Sequence, residues 1–239
     1  MGKTAVPKIK IFADSADLSE MIRLYQQKAV QGFTTNPTLM RRAGVTDYRL
    51  FAQAALKAIP DLPISFEVFS DEYEGMQRQA RMIAQWGKNV FVKIPITNTK
   101  GHSSTALIKD LTKDGLQLNI TAILTLKQVE EIAGVLNPKV ASIVSVFAGR
   151  IADTGVDPVP LMKQAACVLK DNPQAQLLWA SSRELLNIIQ AEASGCHIIT
   201  VTAEILKKIP LLGRDLAALS LDTVKQFYTD AHSAGLSLQ

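Results

Sequence analysis

Apolar and β-branched residues gather in eight short runs along the chain, and stretches of helical periodicity alternate with them to the end. The runs are 8–14 (KIKIFAD), 32–36 (GFTTN), 63–69 (PISFEVF), 89–97 (NVFVKIPIT), 117–123 (QLNITAI), 142–149 (SIVSVFAG), 176–181 (QLLWAS) and 196–202 (CHIITVT). Runs this short and this rich in β-branched residues read as parallel strands buried on both faces. After the first, Asp17 or Ser19 offers a cap for a helix in which Leu18, Ile22 and Tyr25 recur at helical spacing. Pro37 stops the second run, and Leu- and Ala-rich helical segments follow through Ala58. Further helices are predicted over 71–85, 103–113, 126–133, 158–169 and 183–193, with Gly115 and Gly195 as stop signals. A last helix over about 214–232 carries Leu216, Leu219, Val224, Phe227 and Tyr228; this apolar face could reach a neighbouring chain or cover its own barrel. Eight strands alternating with helices predict a (β/α)₈ TIM barrel, one domain over 1–239 with an extra C-terminal helix. A doubly wound open sheet is the alternative, and the absence of a Gly-rich turn after the first strand counts against it.

Composition narrows the function classes. The 239 residues are 47% hydrophobic and 20% charged, with a net charge of +4. Acids and bases are interspersed, so no nucleic-acid partner is expected, while an anionic small substrate is compatible with the mild basic balance. Cys167 and Cys196 stand in apolar segments and read as reduced core thiols. His102, His197 and His232 are far apart, and no metal site is expected. The first ten residues are basic but lack an apolar signal core, and no 18-residue apolar span follows; no membrane partner and a cytoplasmic location are expected. Gly2-Lys3-Thr4 resembles the end of a P-loop without its upstream glycine and strand, and is set aside.

The chemistry centres on Lys93, the one charged residue of the fourth run. Burial penalises the charged form of an amine, and a buried amine is suited to form a Schiff base with a carbonyl substrate. The alternative is a strand-end lysine that extends to solvent. Active sites of such barrels lie at the C-terminal ends of the strands, and polar residues cluster there. Asp14 ends strand one, and Thr34, Thr35 and Asn36 end strand two. Glu67 lies late in strand three, Asn119 and Thr121 in strand five, and Ser145 in strand six with Arg150 just after it. Ser181 ends strand seven, with Arg183 beyond. Lys93 would attack a ketone, and Asp14 would move the proton of the hydroxyl at the breaking bond. Glu67 and Thr121 could hold a water, while Arg150 and Arg183 suit a phosphate.

The segments FADSAD, GFTTNPTL, VFVKIPIT, LNITAILT, SVFAGRIAD and WASSRE resemble those of the transaldolase family, and more narrowly its short-chain branch, which includes fructose-6-phosphate aldolase. The resemblance implies a (β/α)₈ barrel and a cofactor-free Schiff-base mechanism. It puts Lys93 on the Schiff-base lysine, Asp14 on the proton-transferring aspartate, and Glu67 with Thr121 on the pair that positions water. Asn36 falls on an asparagine that binds the dihydroxyacetone unit, with Thr34 and Thr35 beside it, and Ser145 on a serine near that unit. Arg150, Ser181 and Arg183 fall on phosphate-binding positions. The aldolase branch carries glutamine in place of Glu67 and tyrosine in place of Phe147, so both positions resemble the transferring enzymes. Ser182 stands where the family usually has phenylalanine, which predicts space or polarity beside the anion site and keeps a sulfonate open as the terminal anion. The branch also commonly forms pentamers or decamers, implying a homo-oligomer. The functions weighed are therefore transfer of a dihydroxyacetone unit between sugar phosphates, free aldol cleavage or synthesis of fructose 6-phosphate, and non-catalytic sugar-phosphate binding.

Overall fold

The computed structural model describes residues 7–237; Gly2-Lys3-Thr4 and the rest of the basic stretch up to residue 6 lie outside the described residues. Eight strands, β1 (Lys10–Asp14), β2 (Phe33–Thr34), β3 (Ile64–Glu67), β4 (Val90–Pro95), β5 (Leu118–Ile123), β6 (Ser142–Val146), β7 (Ala175–Trp179) and β8 (Ile198–Val201), pair in chain order, and β8 closes onto β1. Every pairing is parallel. The helices are α1 (Leu18–Gln26), α2 (Pro37–Arg42), α3 (Tyr48–Ala58), α4 (Tyr73–Ala84), α5 (Thr105–Lys113), α6 (Leu126–Ala133), α7 (Ala148–Ala152), α8 (Val159–Leu169), α9 (Leu186–Ala193), α10 (Ala203–Leu206) and α11 (Leu216–Ser233). This is the (β/α)₈ barrel that the strand count predicts, with the additional C-terminal helix.

Strand parity divides the core in two. Phe33, Phe66, Val92, Ile94, Ile120, Val144, Trp179 and Ile199 belong to the large cluster packed against the helices. A separate cluster of Phe12, Ile143, Leu178, Ala180 and Ile198, with Phe91 against it, fills the barrel interior. Phe12, Phe91 and Ile143 lie two residues before Asp14, Lys93 and Ser145, so an apolar floor supports a polar mouth on the same face. Gly32 is part of that floor. A Cβ there would stand 2.5 Å from the Phe12 ring, so only glycine leaves room for the phenylalanine that plugs the barrel.

Several boundaries differ from the sequence expectation. The second strand is only Phe33–Thr34. Asn36 leaves it to cap α2, its side chain accepting from the Leu39 amide at 2.9 Å. Pro37 opens that helix, because its fixed φ suits a first helical position where no N–H is needed. Arg150, just after the sixth strand, lies inside the short helix α7. Cys196 is buried, but Cys167 is exposed rather than a core thiol: on α8 it lies away from the face of Met162, Ala165 and Leu169. The C-terminal helix does not cover its own barrel, for α11 buries no residue and exposes Leu216, Leu219, Leu221, Val224, Phe227 and Tyr228.

The β7–β8 seam has only two paired positions, Leu178↔Ile198 and Trp179↔Ile199, and His197 extends it. Its Nδ1 accepts the Leu177 amide at 3.0 Å while its own amide donates to the Leu177 carbonyl. Partial desolvation first, and the charge of Lys10 second, hold the imidazole, whose residue is otherwise exposed, below its usual pKa. A folded-state value below the unfolded one means stability present above about pH 6.5 and lost as pH falls through the folded value. His197→Asn is therefore expected to cost about 1 kcal/mol at pH 7.5 and to flatten the decline in Tm between pH 7 and 5. An unchanged acid slope in the variant would remove His197 as its cause.

Candidate active site

At the mouth, β3, β4 and β5 come into register with Glu67 beside Lys93 and Lys93 beside Asn119. The lysine does not reach out to solvent. Lys93 is 6% exposed, its Nζ lies 3.2 Å from Glu67 Oε2, and it donates to the Thr35 carbonyl at 2.8 Å. Asp14, at the end of β1, accepts from Thr34 Oγ1 at 2.8 Å and faces Asn36 Nδ2 at 3.4 Å. The same Asn36 side chain caps α2 through its oxygen, so the helix fixes which way its amide points. Burial pushes the Asp14 carboxyl above the usual carboxylate range; Lys93 and the Thr34 and Asn36 hydrogen bonds act against that push, and Glu67 adds to it.

On the far side of Lys93, Asn119 Nδ2 donates to Ser65 Oγ at 2.9 Å and Asn119 Oδ1 accepts from Ser145 Oγ at 2.6 Å. The Ser145 proton is thus committed to Asn119, leaving its lone pairs for a donor such as a substrate hydroxyl. Beyond Asn119 the ladder slips. Two residues of β5, Thr121 and Ala122, oppose one residue of β6, and Ala122 holds a φ of +61°. Such a bulge bends the strand locally, and a left-handed alanine costs about 1–2 kcal/mol. Thr121 Oγ1 sits beside it, buried and without a hydrogen-bond partner among the described residues.

Helix α7 and the turn after β7 bring the two arginines to one cavity. Ser181 adopts a φ of +62°, and a Cβ on Gly149 would stand 1.6 Å from its carbonyl oxygen. Only glycine lets the turn after β7 seat on α7, where the Gly149 amide donates to the Ala180 carbonyl at 3.3 Å. The Arg150 guanidinium lies 5.2 Å from the centroid of the Phe147 ring. Arg183 donates to both oxygens of Asp153, at 2.9 and 2.5 Å. That pairing holds the Asp153 carboxyl below its ordinary range and raises Arg183.

Twelve of the thirteen residues singled out from the sequence line one cavity of about 540 Å³: Lys93, Asp14, Glu67, Thr121, Thr34, Asn36, Asn119, Ser145, Phe147, Arg150, Ser181 and Arg183. Thr35 is the exception. Its hydroxyl donates to the Ser65 carbonyl at 2.7 Å, outside the barrel interior, and only its backbone carbonyl serves the site. Ser182 brings no polarity to the anion end, because its hydroxyl donates to the Thr200 carbonyl at 2.9 Å.

The cavity wall also includes Arg42, Thr200 and Thr202, which sequence reasoning missed. Threonines in a strand carry no local mark of function, and the Arg41-Arg42 pair reads as an ordinary helix end; the missed signal was parity, since Thr200 and Thr202 alternate with apolar Ile199 and Val201. A wider groove of about 900 Å³ adjoins the cavity and shares Asp14, Leu39, Arg42 and Thr202. The candidate chemistry stays in the smaller cavity, because only there do the amine and both carboxylates meet. Among the described residues, no cluster of His, Cys, Asp or Glu is arranged to hold a metal ion, and no helix is long and apolar enough to cross a membrane.

Residues 11–238 match the Transaldolase/Fructose-6-phosphate aldolase family profile. The chain belongs to that family. Its relatives include a "Probable transaldolase" of Dehalococcoides mccartyi, 32% identical over 218 residues that span 90% of this chain and 97% of that one. A "Probable transaldolase 2" of Listeria monocytogenes is 32% identical over 203 residues, covering 84% and 88% of the two chains. Among solved structures, the dihydrodipicolinate synthase of Rhodopseudomonas palustris superposes with a TM-score of 0.58 at 16% identity, covering 93% of this chain and 81% of the other. That likeness concerns the barrel fold alone. Membership of the transaldolase and fructose-6-phosphate aldolase family makes the protein an enzyme of the transaldolase type, and the cavity at the C-terminal ends of its strands is its candidate active site.

Proposed function

We propose that the protein moves a dihydroxyacetone unit from a ketose phosphate, such as fructose 6-phosphate, to an aldose phosphate, such as erythrose 4-phosphate, through a Schiff base on Lys93. The placement of the Lys93 amine carries this reading. It is buried between Glu67 and the Thr35 carbonyl and lines a cavity that also holds Asp14.

The neutral amine attacks the C2 carbonyl carbon, and the proton it loses passes to the C2 oxygen to give the carbinolamine. A second proton, delivered through the water held by Glu67 and Thr121, lets that hydroxyl depart as water and leaves the iminium. The unpartnered Thr121 hydroxyl is suited to receive the held water. Asp14 takes the C4 hydroxyl proton, the C3–C4 bond breaks, and its electron pair enters the iminium to form an enamine as the first aldose phosphate leaves. The enamine carbon then adds to the carbonyl carbon of the acceptor, and Asp14 returns the proton to the new hydroxyl. Water at C2 finally releases the product ketose and the amine. A carboxyl raised above the usual carboxylate range by burial is the better suited to take and return a proton. Ser181, Arg150 and Arg183 receive the terminal phosphate, which competes with Asp153 for the Arg183 fork.

Phe147 brings no hydroxyl to protonate the enamine, so the enamine waits for an acceptor aldehyde. With fructose 6-phosphate alone, glyceraldehyde 3-phosphate release is expected to stop near one equivalent per site and to become catalytic once erythrose 4-phosphate is added. Sustained release without an acceptor would replace transfer by free aldol cleavage. Phe147→Tyr is expected to raise the acceptor-independent rate; an unchanged ratio would show that Phe147 is not the switch. Binding of both sugars without turnover would leave only the sugar-phosphate binder.

This reading assigns the protein to cytoplasmic carbohydrate metabolism, in the pentose phosphate pathway. We also propose a homo-oligomer, a pentamer or decamer, because α11 exposes an apolar face that none of the described residues covers. Light scattering should return a multiple of the chain mass; the mass of a single chain would reject the assembly.

A further inference from the structure

We infer that Thr200, on the eighth strand, is a positioning residue that orders a two-hydroxyl relay onto Asp14. The inference rests on the proton-transfer role given to Asp14 above. Thr34 Oγ1 lies 2.8 Å from Asp14 Oδ1 and 2.6 Å from Thr200 Oγ1. Both threonines are buried, and both line the cavity. A hydroxyl has one proton, and an ionised carboxylate only accepts. With Asp14 ionised, the Thr34 proton must go to Asp14, so Thr200 must supply the proton of the Thr34–Thr200 bond. The relay then runs Thr200 to Thr34 to Asp14.

Once Asp14 has taken the substrate proton, the direction can reverse. The carboxyl donates to Thr34, Thr34 donates to Thr200, and the Thr200 O–H turns toward the cavity. No bond to carbon changes in this reversal; only the hydrogen-bond protons turn. The backbone of β8 is held for this purpose by Ser182, whose hydroxyl donates to the Thr200 carbonyl. Hydrogen bonds in series strengthen one another in a low-dielectric site. Removing the far donor therefore weakens the Thr34 bond to the carboxylate and favours the protonated acid. The other groups facing Asp14 are Lys93 of β4, Glu67 of β3 and the Asn36 amide; Arg42 of α2 shares the cavity wall. None of these changes in a Thr200 variant, so the shift is assigned to the relay.

The test is the pH profile of kcat for Thr200→Val, which keeps shape and loses the donor, beside Thr200→Ser, which restores it. The acid limb is expected to move up by about half a pH unit in Thr200→Val and to return in Thr200→Ser, with kcat on the plateau reduced less than about threefold. Borohydride trapping of the donor on Lys93 is measured in all three proteins, because it precedes the Asp14 step. An adduct in all three with an unmoved acid limb in Thr200→Val would overturn the relay and leave the Schiff-base reading standing. No adduct in the parent enzyme would overturn both. Equal shifts in Thr200→Val and Thr200→Ser would mean that packing, not the hydroxyl, sets the limb, and would also overturn the relay.

Discussion

Lys93→Met is expected to eliminate turnover, by about 10⁴-fold or more, because no second lysine lines the cavity among the described residues. Incubation of the parent enzyme with fructose 6-phosphate and borohydride is expected to add one reduced dihydroxyacetone unit at Lys93, read by peptide mass. An adduct at another lysine, or a Lys93→Met enzyme with appreciable activity, would reject the mechanism. The substitution also has a structural signature. Nζ is what sits 3.2 Å from the Glu67 carboxylate and donates to the Thr35 carbonyl. Methionine leaves both acceptors unpaired, and each buried unpaired group costs about 1–3 kcal/mol. Lys93→Met should therefore lower Tm, and adding Glu67→Gln should recover part of the loss while activity stays absent. A double variant no more stable than the single one would show that the Glu67 contact contributes little to folding.

The second large effect separates function from stability at Asp14. Asp14→Asn is expected to lose about 10²–10⁴-fold in kcat, the range for a proton-transfer group, and to raise Tm at neutral pH. The sign follows from the carboxyl being raised in the folded protein by burial. A folded-state pKa above the unfolded one gives stability that is fully present below the unfolded value near 3.9 and is lost as pH rises through the folded value. Ionising the buried carboxyl is thus a burden that asparagine does not carry, while its side-chain oxygen can still accept from Thr34. The Tm difference between Asp14→Asn and parent should be positive at pH 7 and shrink as pH falls toward 4. A difference that is negative at pH 7, or independent of pH, would show that burial does not dominate the carboxyl. The same titration predicts that parent activity falls on the acid side, where Asp14 is already protonated and cannot accept.

The relation between sequence and site is uneven, and Lys93 and Thr200 show why. A lone lysine in a β-branched run is conspicuous because charge is rare in a doubly buried strand. Asp14, Glu67 and Arg150 stand out on similar grounds, at the C-terminal ends of apolar runs. Thr200 does not, since threonine is an ordinary strand residue. Its partner Thr34 is 166 positions away and meets it only because β8 closes onto β1. The contact from the Lys93 amine to the Thr35 carbonyl is equally hidden, because every residue carries a carbonyl and none is marked by its side chain.

What the amino-acid order determined by itself was the alternation of strand and helix, the count that closes a barrel, and the chemical types gathered at its mouth. These follow from local periodicity and from the rarity of charge in apolar runs. How Asp153 engages Arg183, where the Ser182 hydroxyl turns, and that α11 stands free of its own barrel were decided by the tertiary structure alone. The physical reason is that strands buried on both faces are apolar on both. Barrel closure and register, which join residues distant in sequence, then choose partners such as Thr200 for Thr34 and the Thr35 carbonyl for Lys93.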